Sequence, residues 1–236
     1  MDVAPPTIHR LSETSWLLQF QPVISPSVNA AVHALAAFCR GQQLAFQQVV
    51  PAYHSLLLQV PWQALLRPGA AAIQQQIAQW CQQPALWQPA TASQEAQVVE
   101  VPVCYHPSLG TDWPLVEAAT GLPADQVVAL HIQPLYQVYM IGFLPGFAYM
   151  GPVHPAIAVG RKAQPVPVPA GAVGIAGSQT GIYPTHSPGG WHIIGHTPLQ
   201  LFNAGWPQPA LLQPGQQVRL QPISIEEYHQ LKRLPT

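Results

Sequence analysis

The sequence predicts an α+β unit followed by a mostly-β barrel. Three observations point that way. Apolar residues recur at helical spacing in roughly the first ninety residues. Eleven glycines fall between Gly142 and Gly195, where that periodicity vanishes. A polar, proline-containing stretch, Gln88–Gln94 (QPATASQ), separates the two patterns and reads as a linker. The expected domains are residues 1–90 and 97–225.

In the first part, Ile8–Phe20 reads as a strand pair broken at Ser12–Thr14. Ser25 suits a helix N-cap and Pro26 the first helical position. Val28, Val32, Leu35 and Phe38 then mark an apolar face, and Gly41 supplies the stop. Phe46–Pro51 and Leu56–Val60 read as strands. Ile73, Ile77, Trp80 and Cys81 mark a second helix. Two helices over about four strands suggest a ferredoxin-like sandwich.

The second part opens with a strand at Val98–Cys104. One short helix is capped at Thr111 or Asp112 and stopped by Gly121; another runs from about Pro123 to His131. From Tyr136 to Leu220, short β-like segments alternate with Gly and Pro, as in a closed barrel with tight loops.

Composition narrows the function classes. At 48% hydrophobic, the chain should bury about 70% of its unfolded surface. A net charge of -1 gives no electrostatic footprint for nucleic acid or an anionic membrane. Only 7% of residues are charged, which protects poorly against association and suits a subunit that is covered in use. Cys39, Cys81 and Cys104 are odd in number and form no CxxC pair, so neither a disulfide framework nor a zinc site is expected. The first residues, MDVAPPTIHR, lack the pattern of a signal peptide. The expected setting is the reducing cytoplasm.

The common nucleotide and nucleophile motifs are missing. There is no GxxxxGK[ST], GxSxG or HExxH, and Gly171, Gly174 and Gly177 do not fit the dinucleotide fingerprint. Between Gln126 and Ser224 there is no Asp or Glu. Magnesium-assisted phosphoryl transfer needs carboxylates. The barrel would therefore depend on the phosphates, on acids outside this window, or on another chain.

Three segments carry the candidate chemistry: Gly142–Tyr149 (GFLPGFAY), Val168–Pro184 (VPAGAVGIAGSQTGIYP) and Ser187–Pro198 (SPGGWHIIGHTP). Their glycines allow positive φ and close backbone approach. Phe143, Phe147, Tyr183 and Trp191 are suited to wall a pocket for a small flat ring. Arg161 is the strongest fixed charge nearby, suited to a carboxylate or phosphate. His131 closes a helix just before the barrel and is the best-placed acid–base candidate among the histidines.

These three blocks, with VPAYHSLLL at Val50–Leu58 and VVALH at Val127–His131, resemble the KipI / 5-oxoprolinase B-subunit / allophanate hydrolase subunit 1 family over nearly the whole chain. The resemblance implies a ferredoxin-like N-terminal domain and a cyclophilin-like C-terminal barrel. It implies a part in opening 5-oxoproline to L-glutamate with ATP, the chain itself being inactive alone. Two partners are implied as well. One is a 5-oxoprolinase C-subunit-like protein (allophanate hydrolase subunit 2 family), the other an A-subunit-like protein (LamB/YcsF family). Magnesium would be held mainly by a partner or by the phosphates, and no metal ligand is assigned to this chain. KipI-like members instead inhibit a sensor histidine kinase, the alternative function.

On the matching positions, the expected catalytic residues are His131, Arg161 and Tyr183. The expected substrate-binding residues are Phe143, Pro145, Gly146 and Phe147; Pro169, Ala170, Gly171, Gln179, Thr180 and Gly181; and Pro188, Gly189, Gly190 and Trp191. Arg161 and the Gly171–Gly181 backbone would grip an anionic group, Tyr183 and Trp191 would flank the ring, and His131 would assist proton transfer. Two departures stand out. Val159–Pro165 reads VGRKAQP where the family has a PRRxxPR-like stretch, and His106–Gly110 (HPSLG) replaces a glycine-rich run. Each lost arginine removes a charge-assisted contact of about 1.5–3 kcal/mol.

Overall fold

The computed structural model describes residues 3–42, 44, 46–88 and 98–233. The expected linker lies outside the described residues from position 89 onward. The chain divides into two compact units, Met1–Gln94 and Glu95–Thr236.

The first unit runs β1 (Thr7–Arg10), β2 (Ser15–Gln19), α1 (Pro26–Arg40), β3 (Gln48–Pro51), β4 (Ser55–Gln59) and α2 (Ala70–Cys81). Its antiparallel sheet has the order β1-β2-β4-β3. Period-two alternation turns Trp16 and Leu18, and their neighbours Leu58 and Leu56, to one face. There they meet Val28, Val32 and Leu35 of α1 and Ile73 and Ile77 of α2. Pro26 opens α1 as expected, with Ser25 extended at the cap. Gly41 ends it differently: its φ of -83 is right-handed, and its amide bonds back to Phe38, so the helix closes by tightening its last turn. Connectivity also departs from expectation. A ferredoxin-like chain runs βαββαβ. Here the edge strand beside β2 is β1, supplied by the opening hairpin, and no strand follows α2 before residue 88.

The second unit contains β5 (Val98–Val103), α3 (Trp113–Thr120), α4 (Ala124–Ile132), β6 (Tyr136–Ile141), β7 (Ala148–Gly151), β8 (Val166–Val168), β9 (Ala172–Ala176), β10 (Gln179–Ile182), β11 (Ser187–Gly189), β12 (His192–His196), β13 (Gln217–Pro222) and α5 (Ile225–Lys232). Seven strands form one sheet in the order β12-β9-β10-β7-β6-β13-β5. Neighbours are antiparallel except β5 and β13, which run parallel. The two ends of the sheet meet where Cys104 and His196 exchange backbone hydrogen bonds of 2.8 and 2.9 Å, making a nearly closed barrel. Val101, Val138, Met150, Val173, Ile175, Ile182 and Val218 fill its interior, joined by Trp113 and Val116 of α3 and Val127 of α4.

A second, smaller core lies on the outer face of this wall. Phe147, Val168, Ala172, Ala176, Tyr183, Trp191 and Ile193 pack there, beneath a two-stranded ribbon formed by β8 and β11. β9 is consequently buried on both faces. α5 has no counterpart among the elements expected from sequence. Its start is a capping box, in which Ser224 and Glu227 each bond the other's backbone amide. Among the described residues, no helix is long and apolar enough to cross a membrane.

Candidate functional site

Most of the glycine-rich segments converge on the outer layer of the barrel. A cavity of about 460 Å³ there is lined by Phe143, Phe147, Tyr149, Tyr183 and Trp191, by Pro188, Gly189 and Gly190, and by Arg161, Lys162, Ala163 and Pro165. Two glycines make this aromatic layer possible. A Cβ on Gly189 would overlap the Tyr183 hydroxyl, and one on Gly181 would come within 2.9 Å of the Phe147 ring. Phe147 meets Tyr183 and Trp191 edge to face, with centroids 5.1 and 5.4 Å apart.

Phe143 sits at the rim. Its φ of +68 puts a bulky residue in left-handed backbone, a strain of about 1–3 kcal/mol that recurs at functional sites. Its ring is 60% exposed and stands edge-on to Phe147 and Tyr183. Burial raises the Tyr183 hydroxyl above its ordinary range, opposed by a backbone hydrogen bond at Trp191 and by the Arg161 charge. Burial raises Tyr149 as well, again opposed by Arg161. Both phenols therefore keep their protons at neutral pH and act as hydrogen-bond donors, not as bases.

The cationic wall is built by long-range contacts. The Lys162 amide bonds Gly190 O at 2.8 Å, fastening the Arg161–Lys162 loop to the third segment. Lys162 Nζ lies 2.5 Å from Asp112 Oδ2, with both side chains almost buried. The same Asp112 oxygen accepts the Ile193 amide at 2.6 Å. The sequence offers Asp112 only as a helix cap, yet it makes no capping bond and turns to the barrel instead. The acid missing from the barrel's own sequence thus arrives from the start of α3. Lys162 and Asp112 are 50 positions apart by number, and no spacing rule connects them.

The other expected residues fall elsewhere. Gly171 and Ala170 line a different cavity, so Arg161 and the start of the Gly171–Gly181 segment do not grip one group together. Pro145 and Pro169 are exposed on loops. Gly146, with φ +83, packs so tightly on Phe202 that a Cβ would lie 2.7 Å from its side chain. Gln179 is half-buried at the start of β10, and Thr180 points into the barrel.

His131 is the main correction. It is 0% exposed and lines neither cavity. Thr180 Oγ1 donates its one proton to Gly174 O at 3.1 Å, so it accepts from His131 Nε2 at 2.8 Å. Nδ1 is then the acceptor for the Tyr105 hydroxyl at 2.8 Å. Both ring nitrogens are committed in a closed chain, which suits a structural role. Burial pushes the imidazole down from 6.5 to about 3. The unfolded chain takes up a proton below pH 6.5 that the folded chain refuses until about pH 3. Stability from this site is therefore full above pH 6.5 and falls as pH drops, by up to about 1.4 kcal/mol per pH unit. Urea unfolding between pH 7 and 4 should show this slope, and His131→Gln should flatten it. An unchanged slope in the variant would refute the assignment.

Among the described residues, no group of three or more His, Cys, Asp or Glu side chains is placed to hold a metal ion.

Comparison with known proteins agrees with this architecture. The carboxyltransferase domain, subdomain C and D, family model matches residues 6–212. The 5-oxoprolinase B subunit of Bacillus subtilis (strain 168) is 35% identical over 242 residues, covering 95% of this chain and 96% of that protein. The crystal structure of TTHA0988 superposes with a TM-score of 0.74 at 36% identity over 89% of this chain, which spans only 40% of that longer chain. Urea carboxylase of Kluyveromyces lactis shares the fold, with a TM-score of 0.74 at 15% identity over 97% of this chain and 23% of its own. With the match spanning most of both units and the full-length relative alike from end to end, this chain belongs to the carboxyltransferase subdomain C and D family, among its KipI / 5-oxoprolinase B-subunit proteins.

Proposed function

We propose that this chain is the B subunit of an ATP-dependent 5-oxoprolinase assembly and that its aromatic cavity holds the lactam acid. The observation that carries the reading is the pairing, around one cavity of about 460 Å³, of an aromatic layer with two adjacent cations, Arg161 and Lys162. A flat ring would lie against Phe147, Tyr183 and Trp191, its carboxylate drawn to Arg161. Lys162, fixed by Asp112, adds an oriented ion-pair dipole and ammonium N–H donors that need no reorganisation when the ligand arrives. Tyr183 would donate to an oxygen of the ring as charge gathers on it. His131 holds the barrel wall in this reading and takes no proton from substrate.

The described residues do not fit magnesium. Asp112, the one acid near the cavity, has an oxygen already shared by Lys162 and Ile193. Magnesium is therefore assigned to the nucleotide phosphates or to a partner chain; two partners complete the assembly, and this chain alone is inactive. One partner is of the allophanate hydrolase subunit 2 family, the C-type component; the other is of the LamB/YcsF family, the A-type component. In the same reading the N-terminal sheet is a ferredoxin-like sandwich whose edge strand comes from the chain's start, and the barrel is cyclophilin-like.

The test is 5-oxoproline-dependent ATP hydrolysis with the three proteins together and with each omitted in turn. Turnover should require all three. Arg161→Ala should lower kcat/KM by about ten- to a hundredfold, the loss of one charge-assisted contact. If the complete mixture ignores 5-oxoproline while the three proteins still bind one another, the substrate assignment fails.

A further inference from the structure

The segment 183–191 walls two cavities. Tyr183 and Pro188–Trp191 face the aromatic one, while Pro184, Thr185 and His186 line a second, of about 530 Å³. The second cavity reaches the C-terminal end of α5 at Leu231 and Lys232, on the helix that the sequence motifs left unexplained. Its remaining wall includes His196, Thr197, Pro198, Leu199, Phe202 and Lys232.

We propose that this second cavity binds a small organic carboxylate, with its anionic head on Lys232 and His186 and its apolar body against Pro198, Leu199 and Phe202. Charge is the first argument. The lining holds one lysine and two histidines and no Asp or Glu. Among the described residues the single ion pair is Lys162–Asp112, and Lys232 takes part in none.

Position is the second argument. Lysine side chains at a helix end usually wander in solvent, but this one is tethered. Lys232 Nζ donates to the Tyr228 hydroxyl at 3.1 Å and lies 5.3 Å from the centre of the Tyr228 ring. That hydroxyl is 3.0 Å from His196 Nδ1, which also meets Thr197 O at 3.0 Å. Burial first, and then the Lys232 charge, lower the His196 imidazole's affinity for a proton, which favours its neutral form. The floor is rigid as well. Gly171 has φ +88, and a Cβ there would overlap the His196 ring and stand 2.6 Å from Thr197 O.

Chemistry selects the head group. A single ammonium with one imidazole suits the one negative charge of a carboxylate. A dianionic phosphate is better served by arginine forks or backbone amide nests, and no arginine lines this cavity.

The test is titration of the full chain, followed by amide NMR shifts, with 3-phenylpropionate, its neutral amide and inorganic phosphate. The acid should saturate, moving the amides of Thr185, His186, His196, Thr197 and residues 199–202, and those of α5. The amide should bind at least about tenfold more weakly, having lost one charge-assisted bond, and phosphate should also bind at least about tenfold more weakly, having no apolar body to set against Pro198, Leu199 and Phe202. Lys232→Met should weaken the acid by a similar factor and Lys232→Arg should restore most of it. Arg219→Met, which removes a charge that does not line this cavity, should change nothing. Equal binding of acid and amide, an inert Lys232→Met, tighter binding of phosphate, or shifts confined to the aromatic cavity would each overturn the proposal.

Discussion

Asp112→Ala should destabilise the second unit by about 3–5 kcal/mol, the cost of leaving a buried charge without its partner. The carboxylate serves two donors at once. Its Oδ2 takes Lys162 at 2.5 Å and the Ile193 amide at 2.6 Å, in surroundings that leave both charged side chains almost without solvent. Removal therefore strands an ammonium and a β12 amide together. Asp112→Asn should cost less, since its amide oxygen still accepts from Ile193 while Lys162 loses its counter-charge. Pairing Asp112→Leu with Lys162→Met should recover the part of the loss that comes from the stranded ammonium, because an apolar pair of similar volume escapes that desolvation penalty, while the Ile193 amide still lacks its acceptor. Urea unfolding of these variants beside the parent measures this directly. A loss below about 1 kcal/mol for Asp112→Ala would place the pair in the weak class of solvated surface bridges. Catalysis should suffer even in the folded fraction, because Lys162 would no longer be held at the cavity wall.

His131→Ala is expected to be comparably damaging, but for stability alone. The substitution leaves the Tyr105 hydroxyl without its acceptor and Thr180 without its donor, at about 1–3 kcal/mol for each buried polar group. It also opens a void at the base of the barrel wall, bringing the total to about 3–5 kcal/mol. The unfolding midpoint should fall sharply while turnover per folded molecule in the reconstituted assembly stays near that of the parent. Full loss of turnover in a still-folded His131→Gln protein would restore the catalytic role that the sequence suggests.

The two cases mark how far a sequence can be read. α1 and α2 are legible because Val28, Val32, Leu35, Ile73 and Ile77 repeat at a local period, and local periods survive folding unchanged. The aromatic cavity is legible in outline, since Phe143, Phe147, Tyr183 and Trp191 cluster in motif blocks and do converge. The use of the glycines is not. Gly181 and Gly189 do more than turn corners: they clear space beneath Phe147 and Tyr183, a fact that depends on which strands become neighbours. Long-range pairings are equally hidden. Nothing in the numbering joins Asp112 to Lys162, or Tyr105 to His131 and Thr180. His131 misleads because a histidine ending a helix beside a glycine-rich half looks the same whether it faces a cavity or a core. α5 is within reach of the sequence, since Ser224 and Glu227 spell a capping box.

The way the barrel joins its ends also sets an order of assembly. Among the described residues, β5 is the first strand of its unit to be synthesised, yet its full-length neighbour is β13, from Gln217 onward, and its other edge is clasped only at Cys104 and His196. A nascent β5 must therefore remain unpaired until nearly the whole domain has followed it. Contacts so distant along the chain are slow to form and leave apolar strands such as Val99–Val103 open to wrong partners in the meantime. Biogenesis, more than the finished fold, is the stage at which this protein is most exposed to misassembly and most dependent on meeting its own last strand in time.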